Sequence, residues 1–503
     1  MTEPGITSLA PVLVTLFIAL SMRNVLVGLF AGVVVAVVLV TDSGPLMLLP
    51  DLVKEHLVPE VADSYNASVL VLLAFIGGFV KLVEKSGGGT AFAGAVAHWV
   101  STRARAQIGA WFGGILIFFS DLGTPLIVGP VFQPLMDRLR LSRQKLAFIL
   151  DSTSSPVAIL IPIIGWGVFI MSVIASAFEA NNIAMSEWDA FVAAVPYQYY
   201  AWLAITMVPV LTLLQFDYGP MANAEAAAAG HSVTEAAGQS ATEAGPESQA
   251  DERATPILVW LPLLTLGTAL FVILGTHGFP FEQVAGSDFR AALSAAYLLA
   301  AAVLVVLLIT RGIKSSADTF TTYIQGVTGM MPIAATLVLA WALGSLSEQL
   351  GTATFVAEIA RDGLAGWLLP AVSFLLAAVI SFATGSSWGT VIIMMPLAIP
   401  AALATSADLA VTIGAVLSGG LFGDHSSPVS ETTILSSTGA ATTPLAHFRT
   451  QMPYALTNGS IALLTFVLAG LQANPWLVVG AVSIQLSAML VIRKMLAAME
   501  PQT

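Results

Sequence analysis

No cysteine occurs in this chain, so it has no disulfide, no thiolate metal site and no thiol nucleophile. Charge is nearly as scarce: 10% of the residues are Asp, Glu, Lys or Arg, against about 25% in an ordinary soluble protein. Basic residues are the rarer kind, 18 against 30 acidic, for a net charge of −12. That balance suits no nucleic-acid partner. The zinc-hydrolase pattern His-Glu-x-x-His is also missing.

Apolar residues fill the space that charge leaves. The chain is 57% hydrophobic, with many runs of about 18–25 residues, enough to cross a bilayer core of about 30 Å. The expected class is an all-α polytopic membrane protein whose first partner is the lipid bilayer, multi-pass in the cytoplasmic membrane. Glu3 and the lack of an early Lys or Arg argue against a cleaved signal peptide. The Ala-, Gly-, Ser- and Glu-rich stretch 217–253, with seven carboxylates and one arginine, reads as a solvated linker.

Two segments answer each other. "DSTSSPV" at Asp151–Val157 and "DHSSPVSETT" at Asp424–Thr433 both set a carboxylate and hydroxyls against a proline in apolar surroundings. A charge at the bilayer centre costs about 2.5–3.5 kcal/mol on insertion scales, which marks a functional position. Proline frees a backbone carbonyl, tolerable there only where protein, water or an ion satisfies it. Two such breaks suggest two halves of one ion site in a transporter built from repeats.

Weaker echoes keep the same order. "KLVEKSGGGTAF" at Lys81–Phe92 parallels "SLSEQLGTATFV" at Ser345–Val356, and "FFSDLGTPLIVGPVFQPL" at Phe118–Leu135 parallels "SFATGSSWGTVIIMMPLAIP" at Ser381–Pro400. The expected division is an N-terminal helix pair and external loop (1–67), a first repeat (68–215), an acidic cytoplasmic linker (216–255), a connecting helix pair (256–322), a second repeat (323–470) and a C-terminal helix (471–503).

Charge placement orients the repeats. Arginines flank Gln107–Arg138 on both sides, Arg103 and Arg105 before it, Arg138, Arg140 and Arg143 with Lys145 after. A single crossing would put basic clusters on both membrane faces, against the positive-inside tendency; a re-entrant hairpin puts both inside. The result is an inverted-repeat transporter with two re-entrant hairpins, about Gln107–Met136 and Leu364–Ala404, and two broken helices. It has about eleven spans, N-terminus out and C-terminus in. The spans begin near Ile6, Asn24, Ser68, Lys145, Ala190, Pro256, Arg290, Tyr323, Leu409, Met452 and Pro475. Only Lys54, Arg290 and Arg361 then lie outside.

The candidate binding residues are the hairpin tips and the breaks. The first tip offers Ser120, Asp121 and Thr124; the second offers Thr384, Ser386, Ser387 and Thr390. The breaks offer Asp151, Ser152, Thr153, Ser154 and Ser155, then Asp424, Ser426, Ser427, Ser430, Glu431 and Thr432. Hydroxyls replace water around an ion, and carboxylates suit a hard cation. Asp151, Asp424 and Glu431 are the expected ligands of transported sodium. Glu431, seven residues after Asp424, falls on the same face of a continuous helix. His425 reads as a hydrogen-bonding partner, Glu84 and Glu348 as interfacial, Trp388 as packing, and Lys81 and Lys85 as snorkelling to the surface.

At "DSTSSPVAILIPIIGWG", "TGSSWGT" and "GDHSSPVSETTILSS" the chain resembles the NhaC-type sodium/proton antiporters, over nearly its full length. Glu431 stands where that family usually has Asp. The resemblance implies sodium–proton exchange with no cofactor, monovalent cation and proton as substrates, and a transport domain sliding against a scaffold; a homodimer is allowed. The alternative is a sodium- or proton-coupled carrier of a small organic acid or amino acid on the same fold. An intramembrane aspartyl protease is disfavoured, because Leu150 precedes the first Asp and "LFGD" the second. No enzyme is expected.

Overall fold

The computed structural model describes residues 5–41, 44, 46–97, 100–230, 253–279, 284 and 286–499; among these there are helices and no strand. The first pair is α1 (Ala10–Met22) and α2 (Val25–Val40), turned at Arg23 in the left-handed region and capped by the Asn24 side chain. Gly28 and Gly32 lie so close to Thr15 that a Cβ would not fit, which sets the tight crossing of the pair.

The region of the expected first repeat holds α3 (Ser64–Glu84), α4 (Gly88–Ala97), α5 (Arg103–Leu116), α6 (Gly123–Arg138), α7 (Arg143–Ser152), the single turn Ser155–Ala158, α8 (Gly165–Ala180), α9 (Glu187–Ala194) and α10 (Tyr199–Leu214). Helices α5 and α6 pack as an antiparallel hairpin whose turn is residues 117–122, where the segment Gln107–Met136 was expected to fold back. Helix α7 stops at Ser152, because Pro156 cannot continue the ladder of backbone hydrogen bonds.

Then come α11 (Pro220–Gly230), α12 (Ile257–Thr276), α13 (Gly286–Thr310), α14 (Ser316–Gly329), α15 (Met331–Gln349), α16 (Thr352–Gly363), α17 (Leu369–Thr384), α18 (Ser387–Thr405), α19 (Leu409–His425), α20 (Glu431–Gly439), α21 (Pro444–Leu471) and α22 (Leu477–Met499). The second hairpin is α17–α18, turned at left-handed Gly385, with Ser386 capping α18. The second break is the irregular run between α19 and α20. Gly419 and Gly423 leave no room for a Cβ against the backbone of α17, so hairpin and broken helix pack backbone to backbone.

Among the described residues, eight helical stretches are long and apolar enough to cross a membrane, nine if the pair Glu187–Tyr197 and Tyr199–Leu214, bent by 46°, counts as one. The protein is a multi-pass membrane protein. Both arms of the second hairpin pass that test on their own. The span expected from Tyr323 belongs to a 34-residue stretch, Ser316–Gln349, and the one expected from Met452 begins at Pro444.

The acidic stretch departs from expectation. Its first part is docked: Asp217 pairs with buried Lys145 at 2.5 Å, and Glu225 on α11 pairs with Arg103 at 2.6 Å while accepting the Ser142 N–H at 2.8 Å. These carboxylates neutralise the basic cluster at the ends of α5 and α7 instead of being solvated. Residues 231–252 of the expected linker lie outside the described residues.

Candidate functional site

Asp424, near the end of α19, is buried. Its Oδ1 accepts from Ser430 Oγ at 2.8 Å and its Oδ2 from Thr432 Oγ1 at 3.2 Å. The break turns α20 so that its first hydroxyls face back onto the carboxylate that ends α19. Pro428 makes the turn necessary, since its ring blocks a continuing helix.

Asp151 is fully buried at the end of α7. Gln451 Nε2 donates to its Oδ2 at 2.6 Å, His447 Nε2 lies 3.3 Å from the same oxygen, and Ser436 Oγ donates to Oδ1 at 3.4 Å. The His425 ring contacts the Asp151 carbonyl at 3.1 Å and Oδ1 at 3.8 Å. The carbonyl can only accept, so the His425 proton sits on Nε2 and Nδ1 is left to accept from Tyr200 Oη at 3.5 Å. His425 is thus a hydrogen-bonding partner that joins the two breaks.

The hairpin tips meet elsewhere. Trp166 on α8 donates its indole N–H to Asp121 Oδ2 at 2.6 Å, and its ring lies 3.9 Å from that of Trp388. Beside them is a cavity of about 440 Å³ lined by Glu84, Ser120, Asp121, Trp166, Trp388 and Glu431. Lys81 also lines it, paired with Glu84 at 3.2 Å. Trp388 is more than packing, because it forms part of the wall where the tips converge. A larger cavity of about 490 Å³, around Tyr65, Glu187 and Arg290, is mostly apolar and reaches Ile163, just after the first break.

Glu84, at the end of α3, has a partner at the first tip: its Oε1 accepts from Ser120 Oγ at 2.6 Å. One expectation changes. Glu431 does not share a helix face with Asp424, because five residues of irregular backbone separate α19 from α20; it opens into the cavity with Asp121. No group of three or more His, Asp or Glu able to hold a metal ion occurs among the described residues. Asp151 and Asp424 each have their own hydrogen-bonded shell, and Glu431 lines the cavity.

Most of the other candidate hydroxyls bond locally. Thr124 donates to Ile117 and Ser120, Thr153 to Ile149 and Leu150, Ser154 to the Asp151 carbonyl, Thr384 to Ile380 and Thr390 to Ser386. Ser386 accepts from Gly389 N and Ser427 from Val429 N. Ser152 is buried beside them, and the hydroxyls of Ser155 and Ser426 are buried with no partner among the described residues. Those two orphaned groups, one in each break, are the ones free to solvate an ion. Ser436, His447 and Gln451 were not among the sequence candidates. The signal for the last two was a polar pair at i, i+4 on an apolar helix.

The sodium/proton antiporter family model, described as "Na+/H+ antiporter family", matches residues 157–471, which include the second hairpin and the second break. The chain belongs to the Na+/H+ antiporter family. An uncharacterized protein of Haemophilus influenzae is 29% identical over 93% of this chain and 91% of its own length. An uncharacterized Na(+)/H(+) antiporter of the same organism is 26% identical over 44% of this chain and 43% of its own. The Alcanivorax borkumensis YdaH transporter shares the fold with a TM-score of 0.59 at 14% identity, over 93% of this chain and 99% of that one. Family and fold together make the protein a secondary transporter of the antiport class.

Proposed function

We propose that the protein exchanges sodium for protons across the cytoplasmic membrane, using the two helix breaks as its ion site. One observation carries this reading: each break holds a buried carboxylate, Asp151 or Asp424, bonded by hydroxyl, amide or imidazole groups and by no Lys or Arg among the described residues. A carboxylate without a fixed counter-ion can take either a proton or a cation. Competition between the two couples the fluxes. Ser152, Ser155, Ser426, Ser427, Ser430 and Thr432 complete the oxygen set, and Ser120, Asp121 and Glu431 face the cation on its way through the cavity.

The repeats 68–215 and 323–470, inverted with the N-terminus outside, fit this cycle, since each half contains one hairpin and one break. The carrier of a small organic acid is disfavoured by the cavity itself. Glu84, Asp121 and Glu431 line it, and its one lysine, Lys81, is already paired.

The test is sodium-driven proton movement in proteoliposomes, followed with an internal pH dye. Wild type should alkalinise or acidify the lumen in the direction set by the sodium gradient. Asp151→Asn and Asp424→Asn should each abolish this while inserting normally. Wild-type exchange in both variants would refute the site.

A further inference from the structure

Helix α21 carries a polar stripe on its buried face: His447, Gln451, Tyr454 and Asn458 at steps of four, three and four residues. Gln451 occupies the point on this stripe where the repeats meet. Its amide nitrogen has two hydrogens and two acceptors, Asp151 Oδ2 at 2.6 Å and the His425 carbonyl at 2.9 Å. The first acceptor is the carboxylate at the first break. The second is the carbonyl of the last residue of α19, which has no helical successor to bond.

We propose that Gln451 is a positioning residue that sets the Asp151 carboxylate according to the state of the second break. The inference rests on the sodium–proton reading and adds a coupling element to it. One nitrogen serves both breaks, so displacement of the His425 carbonyl, when the ion at Asp424 changes, draws on the same amide that orients Asp151. His425 closes the loop in return, since its ring N–H donates to the Asp151 carbonyl. His447 is the second support, donating from Nε2 to the oxygen Gln451 already holds.

The shell is also incompletely satisfied. Gln451 Oε1 and His447 Nδ1 are both buried and have no partner among the described residues. A cluster built for stability alone would pair them. Two spare acceptors leave room for the amide and the imidazole to reorient as the carboxylate changes occupancy.

The test uses the full chain purified in detergent, with melting temperature followed against sodium chloride and, as the ionic control, choline chloride. A ligand that binds only the folded state raises the melting temperature as it saturates. Gln451→Met keeps the length and volume of the side chain and removes both donors. It should raise the half-saturating sodium concentration about tenfold, and add little further in an Asp151→Ala background. Gln451→Asn keeps an amide one methylene too short for both acceptors and should shift the sodium midpoint in the same direction; it serves if the Met variant does not fold. An unchanged sodium midpoint in the folded variant, with equal melting losses in both backgrounds, would overturn the proposal. If wild type shows no sodium effect, the ion reading fails, and the double-mutant cycle in choline alone then decides the coupling: non-additive losses support it and additive losses overturn it.

Discussion

Glu84 accepts a hydrogen bond from Ser120 at 2.6 Å, and this contact pins the tip of the first hairpin to the end of α3. The same carboxylate holds Lys81 through its other oxygen. Removing it would free the tip and leave a lysine uncompensated beside the cavity.

Glu84→Ala should therefore weaken sodium-dependent exchange more than Glu84→Gln, which keeps an acceptor for Ser120. Hydrogen bonds to charged groups contribute about 1.5–3 kcal/mol, so the Ala variant should raise the half-saturating sodium concentration about tenfold or more. The Gln variant should stay within a few-fold of wild type. Equal behaviour of the two in a flux assay would make Glu84 a bystander.

The hairpin reading of α5–α6 makes a labelling prediction, favoured by the absence of native cysteine. Ser101 and Arg138 flank the hairpin and are exposed, while Ala184 is exposed in the loop after α8. Single cysteines at Ser101 and Arg138 should react with an impermeant maleimide from the cytoplasmic side, and one at Ala184 from the opposite side. Labelling of Ser101 and Arg138 from opposite sides would make the segment a single crossing and remove the inversion.

The breaks and hairpin turns were legible because their causes are local. Pro156 and Pro428 stop a helix wherever they stand, Gly385 permits a left-handed turn, and hydroxyl clusters among apolar residues have few other uses. What the sequence hid depends on long-range packing. Nothing near Glu84 announces Ser120, 36 residues on, and nothing near Asp151 announces Gln451, 300 residues on. The helical-face argument for Glu431 failed for a related reason. It assumed an unbroken helix through the very proline that signalled the break. Docking of Asp217 and Glu225 was masked by their low-complexity surroundings, where composition outweighed the partners waiting at Lys145 and Arg103.

Glu431 begins α20 and faces the cavity opposite Asp121, so its expected role is at the approach to the ion site. Glu431→Asp keeps the charge and shortens the arm by one methylene, about 1.3 Å of reach at backbone-like geometry. It should retain exchange with a shifted sodium dependence. Glu431→Gln should lower sodium affinity by a few-fold without abolishing exchange, in contrast to Asp424→Asn. A Glu431→Gln variant with an unaltered sodium curve would remove it from the pathway, and one as dead as Asp424→Asn would move it into the site itself.

The last prediction concerns the N-terminal end of α7, where Lys145 is 1% exposed and its ammonium is held by Asp217 at 2.5 Å. Tyr454 donates to the same carboxylate at 2.6 Å, and the ammonium lies 5.6 Å from the Phe148 ring centre. Removing one member of a buried pair strands the other charge, at a cost of about 3–5 kcal/mol, whereas replacing both can be nearly neutral. Asp217→Ala should thus lower the melting temperature in detergent markedly, because Lys145 stays buried without its counter-ion. Lys145→Met alone should cost less, since Asp217 is 17% exposed and keeps the Tyr454 hydroxyl. Combining Lys145→Met with Asp217→Ala should recover most of the loss seen in Asp217→Ala. If the double variant is instead less stable than either single one, the pair is not an isolated buried ion pair. Asp217 would then hold the segment before α11 to α21 through Tyr454 on its own account.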